Sequence, residues 1–197
     1  DGTTLSRDHV SAIRMGTTVA TNALLERKGV KVGCLVTAGF EDALVIGDQS
    51  RPKLFSLAIS RSKPLYDCIF GVKERVSNEG DILIGFNEQS HVRQILQGWM
   101  ESGVESIAIC LLHSLSNPRH ELMLAEIAGE VGFKHIYSSH KVSPSPRWVV
   151  RSNTTLLEAY LTPVLERYID SIASRIQSIP LHFMSSTGGL VSSRSFS

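Results

Sequence analysis

The chain has 197 residues, 42% of them hydrophobic, with 20 Lys and Arg against 19 Asp and Glu. That composition supplies a core and excludes an intrinsically disordered segment, and the net charge of +1 shows no basic excess of the kind that marks a nucleic-acid or membrane surface. No stretch approaches the ~18 apolar residues of a membrane helix, and no charged-then-apolar start resembles a signal peptide. Cys34, Cys68 and Cys110 are odd in number and lack any CxxC spacing, which argues against a disulfide framework and a zinc site. Reduced thiols in a cytoplasmic core are expected. The chain starts at Asp1 and stops soon after Gly188-Gly189, and is read as a piece of a longer protein.

In chain order, residues 12–15 read as a short strand stopping at Gly16. Good helix formers follow from Ala20 to Lys28, with a stop at Gly29. Residues 30–36 read as a strand, 39–46 as one or two helical turns, and 47–64 as a loop or excursion bearing Arg51-Pro52. Residues 69–76 alternate, Asn78-Glu79-Gly80 is a turn, and Ile82–Ile84 pairs back, so a hairpin is predicted. Val92, Ile95, Leu96, Trp99 and Met100 recur at helical spacing up to Gly103. Residues 106–112 form a continuous apolar run, as in a strand buried on both faces. Asn117-Pro118 starts a helix, with Asn as N-cap and Pro at the first position. A short strand over 135–137 precedes a long helical pattern from Asn153 to Ile176, with Pro163 inside it and Tyr160 and Leu161 largely buried. Residues 181–184 read as a strand running into Ser185-Ser186-Thr187-Gly188-Gly189.

This alternation is an α/β order. Ligands in such sheets gather at the C-terminal ends of strands. Here those ends are Gly16-Thr17-Thr18, Thr37-Ala38-Gly39, His113-Ser114 and the Ser185–Gly189 segment. Gly16-Thr17-Thr18-Val19-Ala20-Thr21-Asn22 is the most informative of them. A strand end, hydroxyl residues and a helix start form an anion- or carbonyl-binding corner, or else a helix simply capped by Thr17 or Thr18. His113, His120 and Glu121 have no zinc-like spacing, and His120 and Glu121 are placed in the first turn of a helix. His140 is read as a solvated loop residue rather than a cleft residue. Asn153-Thr154-Thr155 matches a glycosylation sequon but is expected to cap the long helix.

Several blocks in order resemble the hydantoinase A / 5-oxoprolinase family: MGTTVATNALLERKG, GFEDALVIGDQSRPKLF, CLLHSLSNPRHE, SSHKVSP, NTTLLEAYLTPVLERYIDSI and FMSSTGGL. The resemblance runs from about Ile13 to Leu190. It implies a lobe of an actin-like (sugar-kinase-like) ATPase fold, a mixed sheet flanked by helices. Residues 1–150 would be the N-terminal region, and 151–197 a connecting helix and the start of a second domain. The implied activity is hydrolysis of a cyclic amide in which ATP phosphorylates the ring carbonyl. Alternatives are the ATP-using subunit of an acetone or acetophenone carboxylase, or a non-catalytic assembly module of the same fold. ATP and Mg are the implied cofactors, but their DxGGT-type loops do not occur in this sequence and would lie outside it. Implied partners are a small cyclic amide and either the rest of the same chain or a hydantoinase B-type subunit, with neither nucleic acid nor membrane.

The matching positions make Thr17, Thr18, Thr21 and Asn22 cleft residues. Gln49 and Arg51 fall in the family's IGxQxRP block, where an Arg would hold a substrate carboxylate or make a surface ion pair. Ser185, Ser186, Gly188 and Gly189 fall in a block where the family has Gln in place of Ser185 and Asn or Asp in place of Thr187. Catalytic residues and metal ligands are not assigned.

Overall fold

A computed structural model describes residues 12–47, 63–176, 180–184 and 190–192. Its elements are β1 (Ile13–Met15), α1 (Val19–Leu25), β2 (Val32–Thr37), α2 (Ala43–Ile46), β3 (Cys68–Val72), β4 (Arg75–Val76), β5 (Ile82–Ile84) and α3 (Gln89–Glu101). They continue as β6 (Ser106–Cys110), α4 (Arg119–Val131), β7 (His135–Ser138), α5 (Ser139–Val142), α6 (Trp148–Arg175), β8 (Leu181–Met184) and β9 (Leu190–Ser192). The chain is thus an α/β protein. It divides into two compact units, one of Asp1–Gly29 with Leu161–Ser197 and one of Val30–Tyr160.

The Val30–Tyr160 unit is built on a parallel sheet of order β3-β2-β6-β7. Its two central strands explain the continuous apolar runs: every residue of β2 and of β6 is buried. Leu35, Ile107 and Ile109 join Val92 and Leu96 of α3 and Leu124, Ile127 and Ala128 of α4 in one core. At ~25 cal/mol per Å² of apolar surface removed from water, each such aliphatic side chain contributes about 1.5–3 kcal/mol. The opposite side of β6 meets α6, where Cys110 Sγ lies 4.0 Å from the Ser152 carbonyl. Gly33 is required by close approach: a Cβ there would come within 2.6 Å of Trp99 Cζ3.

The 69–76 run does not form one hairpin strand. Cys68–Val72 instead pairs parallel to β2, and only Arg75–Val76 pairs back with Ile82–Ile84. The chain turns at Lys73, where Glu74 N–H donates to the Val72 carbonyl at 2.9 Å. Alternation alone could not reveal that break, because the residues on both sides of it satisfy the same period. The start of α4 falls one residue later than its signal: the helix begins at Arg119 with Pro118 rather than Asn117 in the flanking position, and Asn117 Oδ1 accepts from Arg119 N–H at 3.1 Å just ahead of it. The start of α6 departs further from its signal. The helix begins at Trp148, so Asn153 is an exposed interior position rather than a cap. The residues ahead of it, Trp148–Ser152, are held in the helix by packing and by the buried Arg151. Tyr160 is buried and Leu161 half-buried. Pro163 lies inside α6. One turn ahead of it, the Tyr160 carbonyl accepts from Val30 N–H at 3.1 Å.

The other unit has a mixed three-stranded sheet of order β1-β8-β9, in which β1 and β8 run parallel and β9 returns antiparallel. Ile169, Leu181 and Phe183 form its buried centre, with Ile13, Met15, Leu165 and Tyr168 packed around them. Helix α1 ends at Leu25, earlier than its helix formers suggest. Arg27 adopts a left-handed backbone (φ 56°), and Lys28 N–H returns to the Ala23 carbonyl at 2.8 Å, closing the helix.

Candidate functional site

The Gly16–Asn22 corner stands where the sequence places it, between the end of β1 and the start of α1. The parallel register of β1 on β8, Met15 opposite Phe183, sets the C-terminal ends of both strands at the same edge of their sheet. Thr17 makes the local bond, its Oγ1 accepting from Val19 N–H at 3.2 Å. Thr18 is the residue before the helix, but its side chain makes no capping bond, and it is exposed together with Thr21 and Asn22. Of the two capping candidates, Thr17 is therefore engaged, and the Thr18 hydroxyl is left facing outward. Gln49, Arg51, Ser185, Ser186, Gly188 and Gly189 lie outside the described residues.

A second constellation was not predicted as a unit. The parallel sheet reverses its winding between β2 and β6, since β2 connects outward to β3 and β6 outward to β7. At the C-terminal end of that switch point the strand-end backbone groups are taken up by buried side chains. Thr37 Oγ1 accepts from Leu112 N–H at 3.0 Å and donates to Glu74 Oε1 at 2.5 Å. The other Glu74 oxygen meets His120 Nδ1 at 2.7 Å. Beside this pair, Glu121 Oε1 accepts from Leu111 N–H at 2.9 Å and from Ser139 Oγ at 2.6 Å. Its Oε2 accepts from His140 N–H at 3.0 Å and from His140 Nδ1 at 2.5 Å. Carboxylates accept only, which puts a proton on Nδ1 of both histidines.

Arg151 completes the lattice from α6. It donates from Nε to Ser139 Oγ at 3.1 Å, from Nη1 to the Ser145 carbonyl at 2.9 Å and from Nη2 to the Leu111 carbonyl at 3.1 Å. Glu121 is 0% exposed and Arg151 1%. A charge so buried is tolerated only when paired and fully bonded. Burial pulls the Arg151 guanidinium below its usual range, and the Glu121 carboxylate opposes that shift. Glu121 does occupy the first turn of α4, but its carboxylate turns inward to bind the strand ends. His140 is likewise corrected: it belongs to α5 and pairs with Glu121 rather than standing solvated in a loop. The spacing of these residues in sequence gives no signal for the lattice. The only hint available was a mainly polar stretch, Ser138 to Ser145, at the end of the short strand β7.

Cys34 and Cys110 are buried, Cys68 is half-buried, and none of the three is joined in a disulfide. Tertiary structure brings two of them together, because Cys34 opposes Ala108 and Val36 opposes Cys110 across β2 and β6. The neighbouring Cys110 and burial push the Cys34 thiol well above its usual range. Among the described residues, no group of three or more His, Cys, Asp or Glu is placed to hold a metal ion.

Comparison with known proteins places this chain. Residues 1–132 match the family Hydantoinase/oxoprolinase N-terminal region, and residues 151–197 match Hydantoinase/oxoprolinase. The chain belongs to the hydantoinase/oxoprolinase family. A 5-oxoprolinase of Saccharomyces cerevisiae is 38% identical over 225 aligned residues, covering all of this chain and 18% of the yeast protein. An ATP-dependent caprolactamase from Pseudomonas jessenii superimposes with a TM-score of 0.76 at 30% identity, over 91% of this chain and 27% of that one. A nucleotide-free acetone carboxylase gives a TM-score of 0.79 at 23% identity, over 96% of this chain and 30% of that one, and speaks for the fold alone. The chain therefore spans about a fifth of the length of the yeast 5-oxoprolinase it matches. No helix among the described residues is long and apolar enough to cross a membrane.

Proposed function

We propose that this chain is the N-terminal part of an ATP-dependent hydrolase that opens a cyclic amide, on one lobe of an actin-like ATPase fold. The observation that carries this reading is agreement between two relatives at 30% identity or more over most of the chain. One bears the name of an enzyme acting on 5-oxoproline and the other of one acting on caprolactam, and both compounds are cyclic amides. In such an enzyme ATP supplies the phosphoryl group that makes the ring carbonyl electrophilic, and its phosphate and metal ligands come from regions beyond these residues.

The contribution assigned to this chain is the Gly16–Asn22 corner. Thr18, with Thr21 and Asn22 beside it, donates to the substrate carbonyl oxygen as that oxygen gains negative charge, and Thr17 fixes the backbone beneath them. Gln49 and Arg51 are assigned to a substrate carboxylate. Ser185, Ser186, Gly188 and Gly189, which follow β8 in the sequence, are assigned to the same cleft.

The test is ATP-dependent turnover by the full-length gene product, purified with any co-encoded hydantoinase B-type subunit. Substrates are 5-oxoproline, caprolactam and hydantoin, with acetone or acetophenone plus bicarbonate as the competing class. Ring opening coupled to ADP release supports the proposal. Carboxylation of a ketone with no ring opening overturns it in favour of a carboxylase subunit, and no turnover in either class overturns it in favour of an assembly module. The 197-residue chain alone, which has no DxGGT-type or Walker sequence, is expected to show no ATP hydrolysis above a blank.

A further inference from the structure

Three segments that leave the C-terminal edge of the parallel sheet each contribute one side chain to a single row. Phe40 follows β2, Arg75 follows β3, and Trp148 is tied to the end of β6 by its Nε1–H, which donates to the Cys110 carbonyl at 3.0 Å. The Arg75 guanidinium carbon lies 5.1 Å from the centre of the Phe40 ring. The Phe40 and Trp148 rings meet edge to face with centroids 5.9 Å apart. The row therefore runs across the mouth of the switch point between β2 and β6, above the buried Thr37–Glu74–His120 group. Open α/β sheets place their ligands at such a mouth.

Arg75 is unusual in its setting. The hairpin register shifts between Arg75 and Val76, a local irregularity of the kind that re-aims a side chain. Its guanidinium is half-buried and stacked, yet among the described residues it has neither an acidic partner nor a hydrogen-bond acceptor. The acid on the neighbouring loop, Glu41, lies instead over Gly71 of β3. The neighbouring cation after β3, the exposed Lys73, is occupied by Glu88. Gly39, beside Phe40, has a left-handed backbone (φ 85°), is exposed, and has open space where a side chain would stand, so the loop backbone can be approached closely.

A planar guanidinium held against an aromatic face keeps its N–H fork pre-organised for an oxyanion, and the stacking lowers the rotamer freedom lost on binding. We infer that Arg75, with the Gly39-Phe40 loop and Trp148, forms a binding site for the carboxylate or phosphate group of a small molecule at the switch-point edge of the Val30–Tyr160 unit. The inference is independent of the cyclic-amide reading, which uses other residues.

The test is a ¹H–¹⁵N NMR titration of the 197-residue chain at low ionic strength, with succinate in one arm, inorganic phosphate in another, and sodium chloride as a matched-salt control. Saturable shifts are expected at the Gly39, Phe40 and Arg75 amides and at the Trp148 indole N–H in at least one of the first two arms. The arm that saturates identifies the group recognised. Arg75→Gln is expected to weaken that binding about 10-fold or more, the scale of losing a charge-assisted hydrogen bond. Arg75→Lys, which keeps the charge and loses the fork, should also bind more weakly than the parent, and it stands in if the Gln variant fails to fold. Shifts reproduced by sodium chloride, or affinity unchanged in a folded Arg75 variant, would overturn the proposal. Such results would leave the stacked Arg75 as a cover for the Phe40 ring alone.

Discussion

The two candidate places in this molecule are built in opposite ways. At the Gly16–Asn22 corner, hydroxyl and amide side chains lie close together in sequence, Thr18, Thr21 and Asn22 are exposed, and among the described residues the Thr18 side chain makes no capping bond. At the end of the parallel sheet, Thr37, Glu74, His120, Glu121, Ser139 and Arg151 come from distant positions, are buried, and spend their bonding capacity on one another and on strand-end backbone. A side chain already satisfied by its neighbours has little left to offer a substrate. One that is positioned and unsatisfied has its whole bonding capacity available. We propose chemistry for the corner and architecture for the lattice, and each assignment can be broken separately.

The largest effect is expected at Glu121. Replacing it with Ala leaves the Leu111 N–H, Ser139 Oγ and His140 without their common acceptor and removes the carboxylate charge that offsets the burial of Arg151, and should destabilise the chain by about 3–5 kcal/mol, the cost of breaking a buried charge pair. Urea unfolding of the 197-residue chain measures it. A midpoint equal to the parent's would mean that the lattice is not structural. Glu121→Gln, which keeps shape and some bonding, should fall between the two.

Next is Thr18→Val in the full-length enzyme. Turnover per folded molecule should drop about 10²-fold, as for loss of one oxyanion donor, while unfolding stability stays near the parent's because Thr18 makes no capping bond. Steady-state kinetics beside a melting curve decide it. A lower melting temperature with normal turnover would turn the corner into another piece of scaffold.

Gly33→Ala probes packing apart from polar bonding. The added methyl meets the Trp99 ring, and a cost of about 1–3 kcal/mol is expected from overpacking. Pairing it with Trp99→Leu, which opens the space, should recover part of that loss in a double-mutant cycle. The smallest effect is Asn117→Ala, which removes the bond to Arg119 N–H at the start of α4 and should cost about 1 kcal/mol by thermal unfolding. A loss as large as that of Glu121→Ala would show that the loop joining β6 to α4 shares in the lattice, since Asn117 Nδ2 also donates to the Gly80 carbonyl at 2.9 Å.

Sequence by itself determined the elements whose cause is local. The apolar runs of β2 and β6, the period of α3 and the approximate start of α4 near Asn117 all rest on burial pattern or on side chain–backbone bonds a few residues apart. Sequence also carried the family, because several long blocks kept their order. Tertiary structure decided what depends on residues far apart in the chain. It split the 69–76 run by offering Cys68–Val72 an edge on β2, and it began α6 at Trp148, where Arg151 finds buried acceptors. It also joined Glu74 to His120 and Glu121 to His140. Those choices were illegible for one physical reason. A carboxylate or guanidinium reads as surface until its partners are known, and here the partners are the unpaired backbone groups at the ends of strands that only the folded sheet brings together.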